Sequence, residues 1–257
     1  MIKIASCKDE AIKNGSCKVE AIKNVVNYNK YMLRGGHRGA AGYEPENTLR
    51  SFKKALDLSV GIIELDVHRA KTGEIVSMHD KTVCRTTNGN GYVSGLTLKE
   101  LLGLDAGDGE KVPTLEEVLD WVAGRAKLNI EIKSYDATEG VAKLIQDYVA
   151  RGTYKYGDFV VSSFNWLALI KMRILNSQIP LGVLIHTRPL KLAFVVAKIT
   201  NAYAFHPHYT LVNKKMVKKV HNKNMKLFTW TVNEREDIEK MKKLGVDGIF
   251  SDYPDRI

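Results

Sequence analysis

The chain has 257 residues, of which 44% are hydrophobic and 26% are charged, and its formal net charge is +10 at pH 7 with a pI near 9.3. This composition excludes a disordered chain, and no apolar stretch approaches the roughly 18 residues that a membrane-spanning helix needs. The excess of basic residues favours an anionic partner, such as a phosphate ester, nucleic acid or an acidic membrane surface, without choosing among them.

The first 24 residues contain a near-exact duplication, SCKDEAIKN at 6–14 and SCKVEAIKN at 16–24. The offset of ten residues matches neither a heptad nor an eleven-residue helical repeat, so no long supercoil is indicated. We expect residues 1–30 to form an N-terminal extension that packs on the main domain, with a dimerising or membrane-touching element as the alternative. Cys7, Cys17 and Cys84 follow no metal-binding spacing and no signal peptide precedes them, so free thiols and a cytoplasmic location are expected.

From residue 33 onward, short apolar runs alternate with amphipathic segments, which is the pattern of βαβ units around a parallel sheet. Helix starts between the runs are marked by Asn47, Thr97, Thr114 and Asn233, and the last three have a glutamate three residues later. Eight runs are predicted as strands: 32–37, 61–67, 128–133, 159–164, 181–185, 201–206, 227–232 and 248–252. Eight such units predict an α/β fold of the TIM (β/α)8 barrel type over residues 31–257.

The spacing of the strands is interrupted once. About sixty residues separate His68 from Leu128, where a barrel unit usually needs far fewer. We predict a small insertion after strand two, over about 69–112, followed by an ordinary barrel helix from Thr114. The glycines of NGNGYVSG, at 88–95, neither follow a strand nor open a helix, so they are predicted to form turns rather than a phosphate-binding loop.

Two predicted strands carry charged residues two positions apart. Glu64 and Asp66 leave the same face of GIIELDV, and Glu131 and Lys133 share a face of LNIEIK. If both strands end at the same rim of a barrel, the three carboxylates converge with the lysine beside them. Adjacent buried carboxylates need a counter-charge, and oxygen ligands suit calcium or magnesium. These residues therefore predict a site for a divalent metal ion.

His37 and His79 follow strands one and two and titrate near neutrality, so they are candidates for a general acid and a general base. Taken singly, each of these patterns also fits a solvated strand edge, a capping carboxylate or a turn histidine. The absence of GxSxG and HExxH motifs argues against the commonest serine hydrolases and zinc peptidases. The basic stretch YTLVNKKMVKKVHNKNMKLF carries no nucleic-acid-binding motif, so no nucleic-acid partner is expected.

Several longer motifs together resemble the glycerophosphodiester phosphodiesterase family. They are HRGAAGYEPENTLRSFKKAL, GIIELDVHRAKTGEIVSMHD, CRTTNGNGYVSGLTLKELLGLDAG, PTLEEVL, LNIEIK, FTWTVN and GVDGIFSDYPD. The motifs occur in family order from about residue 33 to residue 257, and residues 1–30 lie outside the resemblance.

The resemblance implies a TIM-type barrel that hydrolyses glycerophosphodiesters, such as glycerophosphocholine and glycerophosphoethanolamine, with Ca²⁺ or Mg²⁺ as cofactor. The products would be sn-glycerol 3-phosphate and an alcohol. The matching positions are a general acid and base (His37 and His79), metal ligands (Glu64, Asp66 and Glu131), phosphate-contacting cations (Arg38 and Lys133), a pocket aromatic (Trp230) and a supporting carboxylate (Glu46).

Two other functions stay open at this point. One is a lysophospholipase D, because the basic charge and the segment LKLAFVVAK at 190–198 permit transient membrane contact, although a buried barrel helix explains that segment better. The other is a barrel that binds phosphodiesters without turning them over. The sequence does not show which histidine is the acid and which is the base. It does not distinguish direct attack by water from a route through a cyclic phosphate, and it leaves the oligomeric state undetermined.

Overall fold

In the computed structural model, which describes residues 32–187 and 189–257, eight parallel strands close into a barrel. The strands are β1 (Leu33–Gly36), β2 (Ile62–Arg69), β4 (Lys127–Ile132), β5 (Phe159–Ser163), β6 (Leu181–Ile185), β7 (Ala204–Pro207), β8 (Lys226–Thr229) and β9 (Gly248–Ser251), while β3 (Ile75–Ser77) pairs with β2 in the antiparallel sense. The barrel closes because β1 pairs with both β2 and β9. The predicted (β/α)8 fold is confirmed.

Eight helices connect or flank these strands in the described part of the chain. They are α1 (Leu49–Asp57), α2 (Leu98–Gly103), α3 (Leu115–Val122), α4 (Thr138–Ala150), α5 (Trp166–Leu175), α6 (Leu190–Ile199), α7 (Lys214–His221) and α8 (Arg235–Leu244). None of the helices within 32–187 and 189–257 combines the length and the apolar character needed to cross a bilayer. The expectations for residues 1–30, including the thiols of Cys7 and Cys17, lie outside the described residues.

Residues 70–114 interrupt the barrel between β2 and α3. They contain β3, a 3-10 turn at Val93–Gly95 and α2, and they enclose a small apolar cluster of their own. The glycine-rich stretch 88–95 forms turns, and Gly91 has a φ of 114°, which favours glycine. This insertion places the chain after β2 beside the mouth of the barrel.

Two of the four predicted helix starts are confirmed and two are wrong. Thr97 and Thr114 cap α2 and α3 in complete capping boxes. However, α1 is capped by Thr48 rather than Asn47, and α8 follows Glu234 without any side-chain cap from Asn233. Both asparagine side chains are instead bound to carboxylates at the barrel mouth, as described below.

The inside of the barrel has an apolar floor and a polar mouth. The floor is formed by a cluster of buried apolar residues, namely Ile62, Val160, Ala204, Phe228 and Phe250. Along β2 the alternation of a strand sends Leu65 outward to the helices and Glu64 and Asp66 inward. The charged residues therefore collect at the carboxyl ends of the strands, where barrel active sites form.

Candidate active site

Three carboxylates meet where β2 and β4 run side by side. Asp66 is in register with Glu131, and Glu64 lies two residues earlier on the same face of β2. One carboxylate oxygen from each of the three lies within 4.8 Å of the other two, and the residues are only 4% (Glu64), 1% (Asp66) and 8% (Glu131) exposed. The structure thus brings together the three predicted metal ligands.

Two cations face this triad. Lys133 Nζ lies 2.6 Å from Glu131 Oε1 and 3.4 Å from Asp66 Oδ1, and Arg38 Nε lies 3.4 Å from Asp66 Oδ2. Although burial alone would raise the pKa of Asp66, these cations hold it below its ordinary value. Burial, reinforced by the charge of Asp66, raises the pKa of Glu131 to about 7 and raises the pKa of Glu64 well above its usual range.

The protein's own cations therefore compensate one of the three carboxylates but not all of them. A divalent ion would supply the missing positive charge. The donor set consists of carboxylate oxygens only, which suits Ca²⁺ or Mg²⁺ better than zinc or copper. The residues present fit a hard divalent cation.

The loop after β1 turns sharply to aim Arg38 at the site. Arg38 and Gly39 have φ values of 50° and 89°, and a Cβ at Gly39 would lie 2.3 Å from Ser51 Oγ. This turn directs the backbone N–H of Arg38 to Glu64 Oε2, at 2.8 Å, while its Nη1 donates to Glu46 Oε1 at 2.9 Å. Gly39 thus permits a turn in which one arginine contacts the carboxylates through both backbone and side chain.

Asn47 fixes the orientation of Asp66. It has a φ of 60° and is 3% exposed. Its Nδ2 donates to Asp66 Oδ2 at 3.0 Å, and its Oδ1 accepts from the backbone N–H of Asp66 at 3.1 Å and from Ser77 Oγ at 3.1 Å. Groups that hold a metal-ligating carboxylate in this way restrict its rotation.

His37 is held by a carboxylate from the last strand of the barrel. Its Nδ1 lies 2.7 Å from Asp252 Oδ1, and its Nε2 lies 3.4 Å from Thr231 Oγ1. Asp252 also accepts from Asn233 Nδ2 at 2.7 Å. Although burial would raise the pKa of Asp252, its contacts with His37 and Asn233 lower it. An anionic partner at Nδ1 keeps the proton there and leaves Nε2 available for proton transfer.

His79 has the same arrangement on the other side of the triad. Its Nδ1 lies 2.6 Å from Asp80 Oδ1, and burial lowers the pKa of the imidazole. Arg85 donates through Nε to Asp80 Oδ2 at 2.7 Å and makes two further bonds to Glu46, at 2.8 and 2.7 Å. These bonds from Arg85 hold the pKa of Asp80 far below its ordinary value. Arg85 therefore links the partner of His79 to the partner of Arg38.

Aromatic rings form the opposite side of the mouth. Phe164, His186, His208 and Trp230 follow β5, β6, β7 and β8 respectively. The Trp230 ring centroid lies 5.3 Å from that of Phe164 and 5.1 Å from that of His208, and its Nε1 donates to a backbone carbonyl at 3.0 Å. The mouth thus has a charged half on β1, β2 and β4 and an aromatic half on β5 to β8.

The whole of this site lies within a region that matches a known protein family. Residues 37–256 match the Glycerophosphoryl diester phosphodiesterase family. The chain belongs to this family. The range includes all nine residues that the sequence singled out, and the structure places all nine around one barrel mouth.

Individual members of the family agree with this assignment. A glycerophosphodiester phosphodiesterase of Caldanaerobacter subterraneus is 39% identical over 234 residues, which cover 86% of this chain and 94% of that protein. A glycerophosphodiester phosphodiesterase of Bacillus subtilis is 34% identical over 247 residues, covering 87% and 84%. The solved structure of a phosphodiesterase from Oleispira antarctica, in complex with the product sn-glycerol-3-phosphate, superposes with a TM-score of 0.80 at 28% identity and covers 90% of this chain and 96% of that one.

Four residues of this glycerophosphoryl diester phosphodiesterase site were not singled out from the sequence. They are Asn47, Asp80, Arg85 and Asp252, and each acts on a residue that was. Asp80 directly follows His79, so that adjacency was a usable signal. Nothing in the sequence pairs Asp252 with His37, because 215 positions separate them and only closure of the barrel brings them together.

Proposed function

We propose that this glycerophosphoryl diester phosphodiesterase family member hydrolyses glycerophosphodiesters, such as glycerophosphocholine and glycerophosphoethanolamine, to sn-glycerol 3-phosphate and an alcohol. The names of its relatives and the sn-glycerol-3-phosphate bound to the Oleispira antarctica structure support this reaction. One observation carries the proposal. The buried carboxylate triad is flanked by two cations and by two histidines, each of which has a carboxylate on Nδ1.

Glu64, Asp66 and Glu131 would hold a divalent cation. When bound, the ion adds positive charge that neutralises the phosphodiester and stabilises the charge that develops on its oxygens. Arg38 and Lys133 already lie against the triad, so they are placed to contact the same phosphate oxygens. Such preorganised cations stabilise charge in the transition state without reorganisation.

His37 and His79 carry out the proton transfers. One takes the proton from the attacking oxygen and the other donates a proton to the leaving alkoxide oxygen, which is worth roughly 10²- to 10⁴-fold in rate for each transfer. Burial favours the neutral form of His79. The attacking oxygen belongs to water or to the substrate's own glycerol hydroxyl, and in the second case water then opens a cyclic phosphate to give the same products.

The remaining site residues bind and orient. Glu46 holds the guanidinium of Arg38 through Nη1 and is itself held by Arg85. Trp230 and Phe164 offer apolar ring surface to the carbon skeleton of the substrate, on the side of the mouth away from the carboxylates. The charged half thus acts on the phosphate, and the aromatic half contacts the rest of the molecule.

The direct test measures sn-glycerol 3-phosphate released from glycerophosphocholine by the full chain. We expect release to stop in EDTA and to return with Ca²⁺ or Mg²⁺. Glu131→Gln should abolish release at every metal concentration, because it removes a ligand of the triad. Glu236→Gln, which removes an exposed carboxylate from α8, is the matched control and should retain full activity.

Two results would overturn the proposal. Release of choline from a lysophosphatidylcholine, with no sn-glycerol 3-phosphate from the water-soluble diester, would identify a lysophospholipase D instead. A folded protein that binds glycerophosphocholine but releases no product with either metal would be a non-catalytic phosphodiester-binding barrel.

A further inference from the structure

The net positive charge of the chain comes from one continuous stretch. Residues 159–233 contain eleven lysines and arginines and no aspartate or glutamate. The whole chain has 39 basic and 29 acidic residues, so the remainder has 28 basic and 29 acidic ones and is close to neutral. The stretch spans β5 to β8 and the three helices between them, α5, α6 and α7. The charge is therefore concentrated on one side of the barrel.

The same side exposes aliphatic residues. On α6, Leu192, Val195 and Ile199 are 48%, 49% and 62% exposed, and their spacing of three and four residues puts them on one face. On the adjacent helix α5, Leu167 and Ile174 are 66% and 80% exposed and lie seven residues apart. Aliphatic residues grouped in this way, rather than scattered singly, mark an interaction surface.

Lysines surround this aliphatic surface. Seven of them have no carboxylate within 4 Å in the part of the chain that the structure describes: Lys191, Lys198, Lys214, Lys215, Lys218, Lys219 and Lys223. By contrast, Lys171 pairs with Glu139 at 2.9 Å and Lys226 with Asp247 at 2.9 Å. The uncompensated lysines lie on α6, on α7 and just after α7, next to the aliphatic stripe.

A groove between α6 and the turn that follows α7 combines both features. A cavity of about 290 Å³ has Phe194 and Ala197 in its walls and Lys198 and Lys223 beside them. The Nζ of Lys219 lies 4.1 Å from the centroid of the Phe194 ring. An apolar wall with ammonium groups at its edge suits a ligand that is anionic at one end and aliphatic at the other.

We propose that this face, formed by α5, α6, α7 and the turn to Lys223, docks the protein on an anionic lipid surface. The aliphatic side chains of α5 and α6 enter the boundary between headgroups and acyl chains, while the lysines contact lipid phosphates. Attraction of lysines to an acidic leaflet and burial of an apolar stripe are the two contributions that bind peripheral proteins to membranes. The face lies on the outside of the barrel, so the mouth stays open to a dissolved diester.

Two other occupants fit the face less well. A second copy of the chain, docked symmetrically, would bring the two sets of lysines together and repel. A nucleic acid could use the same lysines on its phosphates, but single-stranded binders also offer aromatic rings on which bases stack, whereas the exposed apolar residues of α5 and α6 named above are aliphatic. The described arginine of this stretch, Arg173, instead donates to the backbone carbonyl of Thr200 at 2.7 Å.

Co-sedimentation of the full chain with vesicles tests the proposal. We expect binding to phosphatidylcholine vesicles that contain about one third phosphatidylglycerol, little binding to pure phosphatidylcholine, and release in about 0.5 M NaCl. Lys198→Gln/Lys223→Gln should weaken partitioning on the order of 10- to 30-fold, since each lysine near an acidic surface contributes about fivefold. Val195→Gln/Ile199→Gln should weaken it on the order of tenfold through lost apolar burial.

The matched control is Lys240→Gln/Lys243→Gln on α8, where acidic residues are interspersed. It removes the same net charge and should leave partitioning within about twofold of the unchanged protein. Every variant retains residues 1–31, so differences in vesicle partitioning among the variants are caused by the substitutions on the helices. Turnover of glycerophosphocholine, equal in all variants, shows that each is folded.

Equal losses in the α6–α7 and α8 variants would overturn the proposal, because they would mean that only total charge matters. Failure to bind acidic vesicles would overturn it as well. If the protein bound a labelled oligonucleotide but did not bind acidic vesicles, the face would be assigned to nucleic acid.

Discussion

The two halves of the barrel mouth differ in the side chains that line them and in how those side chains are held. On β1, β2 and β4 the side chains are charged, and each is held by a partner that fixes its orientation. On β5 to β8 the mouth is lined by rings that contact one another, in a stretch of sequence without a single carboxylate. Under the proposed function, bond breaking belongs to the first half and substrate contact to the second.

Four of the histidines at the mouth give the largest test of this difference between the two halves. His37 and His79 each have a carboxylate on Nδ1, whereas His186 and His208 have their ring centroids 4.5 Å apart, and His208 Nδ1 contacts Thr210 Oγ1 instead. We expect His37→Ala and His79→Ala each to lower kcat by roughly 10²- to 10⁴-fold, because a proton transfer is lost. Steady-state release of sn-glycerol 3-phosphate measures this.

The matched substitutions lie across the mouth. His186→Ala and His208→Ala should change kcat by less than about threefold, because among the described residues neither ring has the anionic partner that prepares a histidine for proton transfer. If His208→Ala lowered kcat as much as His37→Ala, the division of the mouth into two halves would be contradicted.

Substitution of Arg85 tests whether His79 and Arg38 depend for their orientation on residues that hold their partners. Arg85 binds Asp80 and Glu46 at once, so it acts on His79 and Arg38 without being placed against the triad. Arg85→Lys keeps the charge but loses the planar fork that makes four bonds. We expect kcat to fall roughly 10- to 100-fold, which is the usual cost of losing a second-layer contact, with KM changed much less.

Arg50 provides the control for that change. It also bridges two carboxylates, Glu44 at 2.6 Å and Asp108 at 2.8 Å, but neither of these touches a histidine. Arg50→Lys should leave kcat within about twofold of the unchanged enzyme. If both lysine variants lose activity equally, the effect of Arg85 is one of loop stability and not of positioning.

The sequence was sufficient to predict the barrel and the charged residues that cluster at its mouth. Strands buried on both faces appear as short apolar runs, and two carboxylates on alternate positions of such a run, as Glu64 and Asp66 are, stand out because burial would otherwise exclude them. For the same reason Glu131 on β4 and Lys133 directly after it stood out. These features are local, so one strand at a time reveals them.

The residues that hold the reacting groups were harder to find, because their partners are distant in sequence. Asn47 and Asn233 were interpreted as helix caps, which asparagine commonly provides. In the fold Thr48 caps α1, which frees Asn47 to bind Asp66, and Asn233 binds Asp252 instead of capping α8. A capping motif and a carboxylate holder have the same local sequence, and only the tertiary fold distinguishes them.

The aromatic half should affect binding more than turnover. Trp230→Ala removes a ring that lies 5.3 Å from Phe164 and walls the mouth opposite the triad. We expect KM for glycerophosphocholine to rise roughly tenfold with kcat within about threefold, as for an interaction made equally in the ground state and the transition state. Trp230→Phe should restore most of the affinity. A fall in kcat without a rise in KM would place Trp230 with the reacting groups.

The apolar floor of the barrel should exclude charge in the same way, and His206, whose ring packs against Phe228 and Phe250, allows this to be measured as a pH dependence of stability. The side chain on β7 is 1% exposed, its Nε2 has no hydrogen-bond partner among the described residues, and burial lowers its pKa to about 3. In the unfolded chain the same group has a pKa near 6.5 and binds a proton as the pH falls. Its contribution to stability is therefore complete above pH 6.5 and is lost as the pH falls toward 3.

Denaturant unfolding at a series of pH values between about 7 and 4 should show this loss, with a slope of up to about 1.4 kcal/mol per pH unit from this group. His206→Phe removes the titrating group. The free energy of unfolding of this variant should therefore fall less steeply with decreasing pH than that of the unchanged protein. His186→Gln, which removes an exposed histidine without a carboxylate partner among the described residues, should keep the original slope. If the curves for His206→Phe and the unchanged protein run parallel, the folded barrel accepts a proton on His206, and its apolar floor admits the charge that it is expected to exclude.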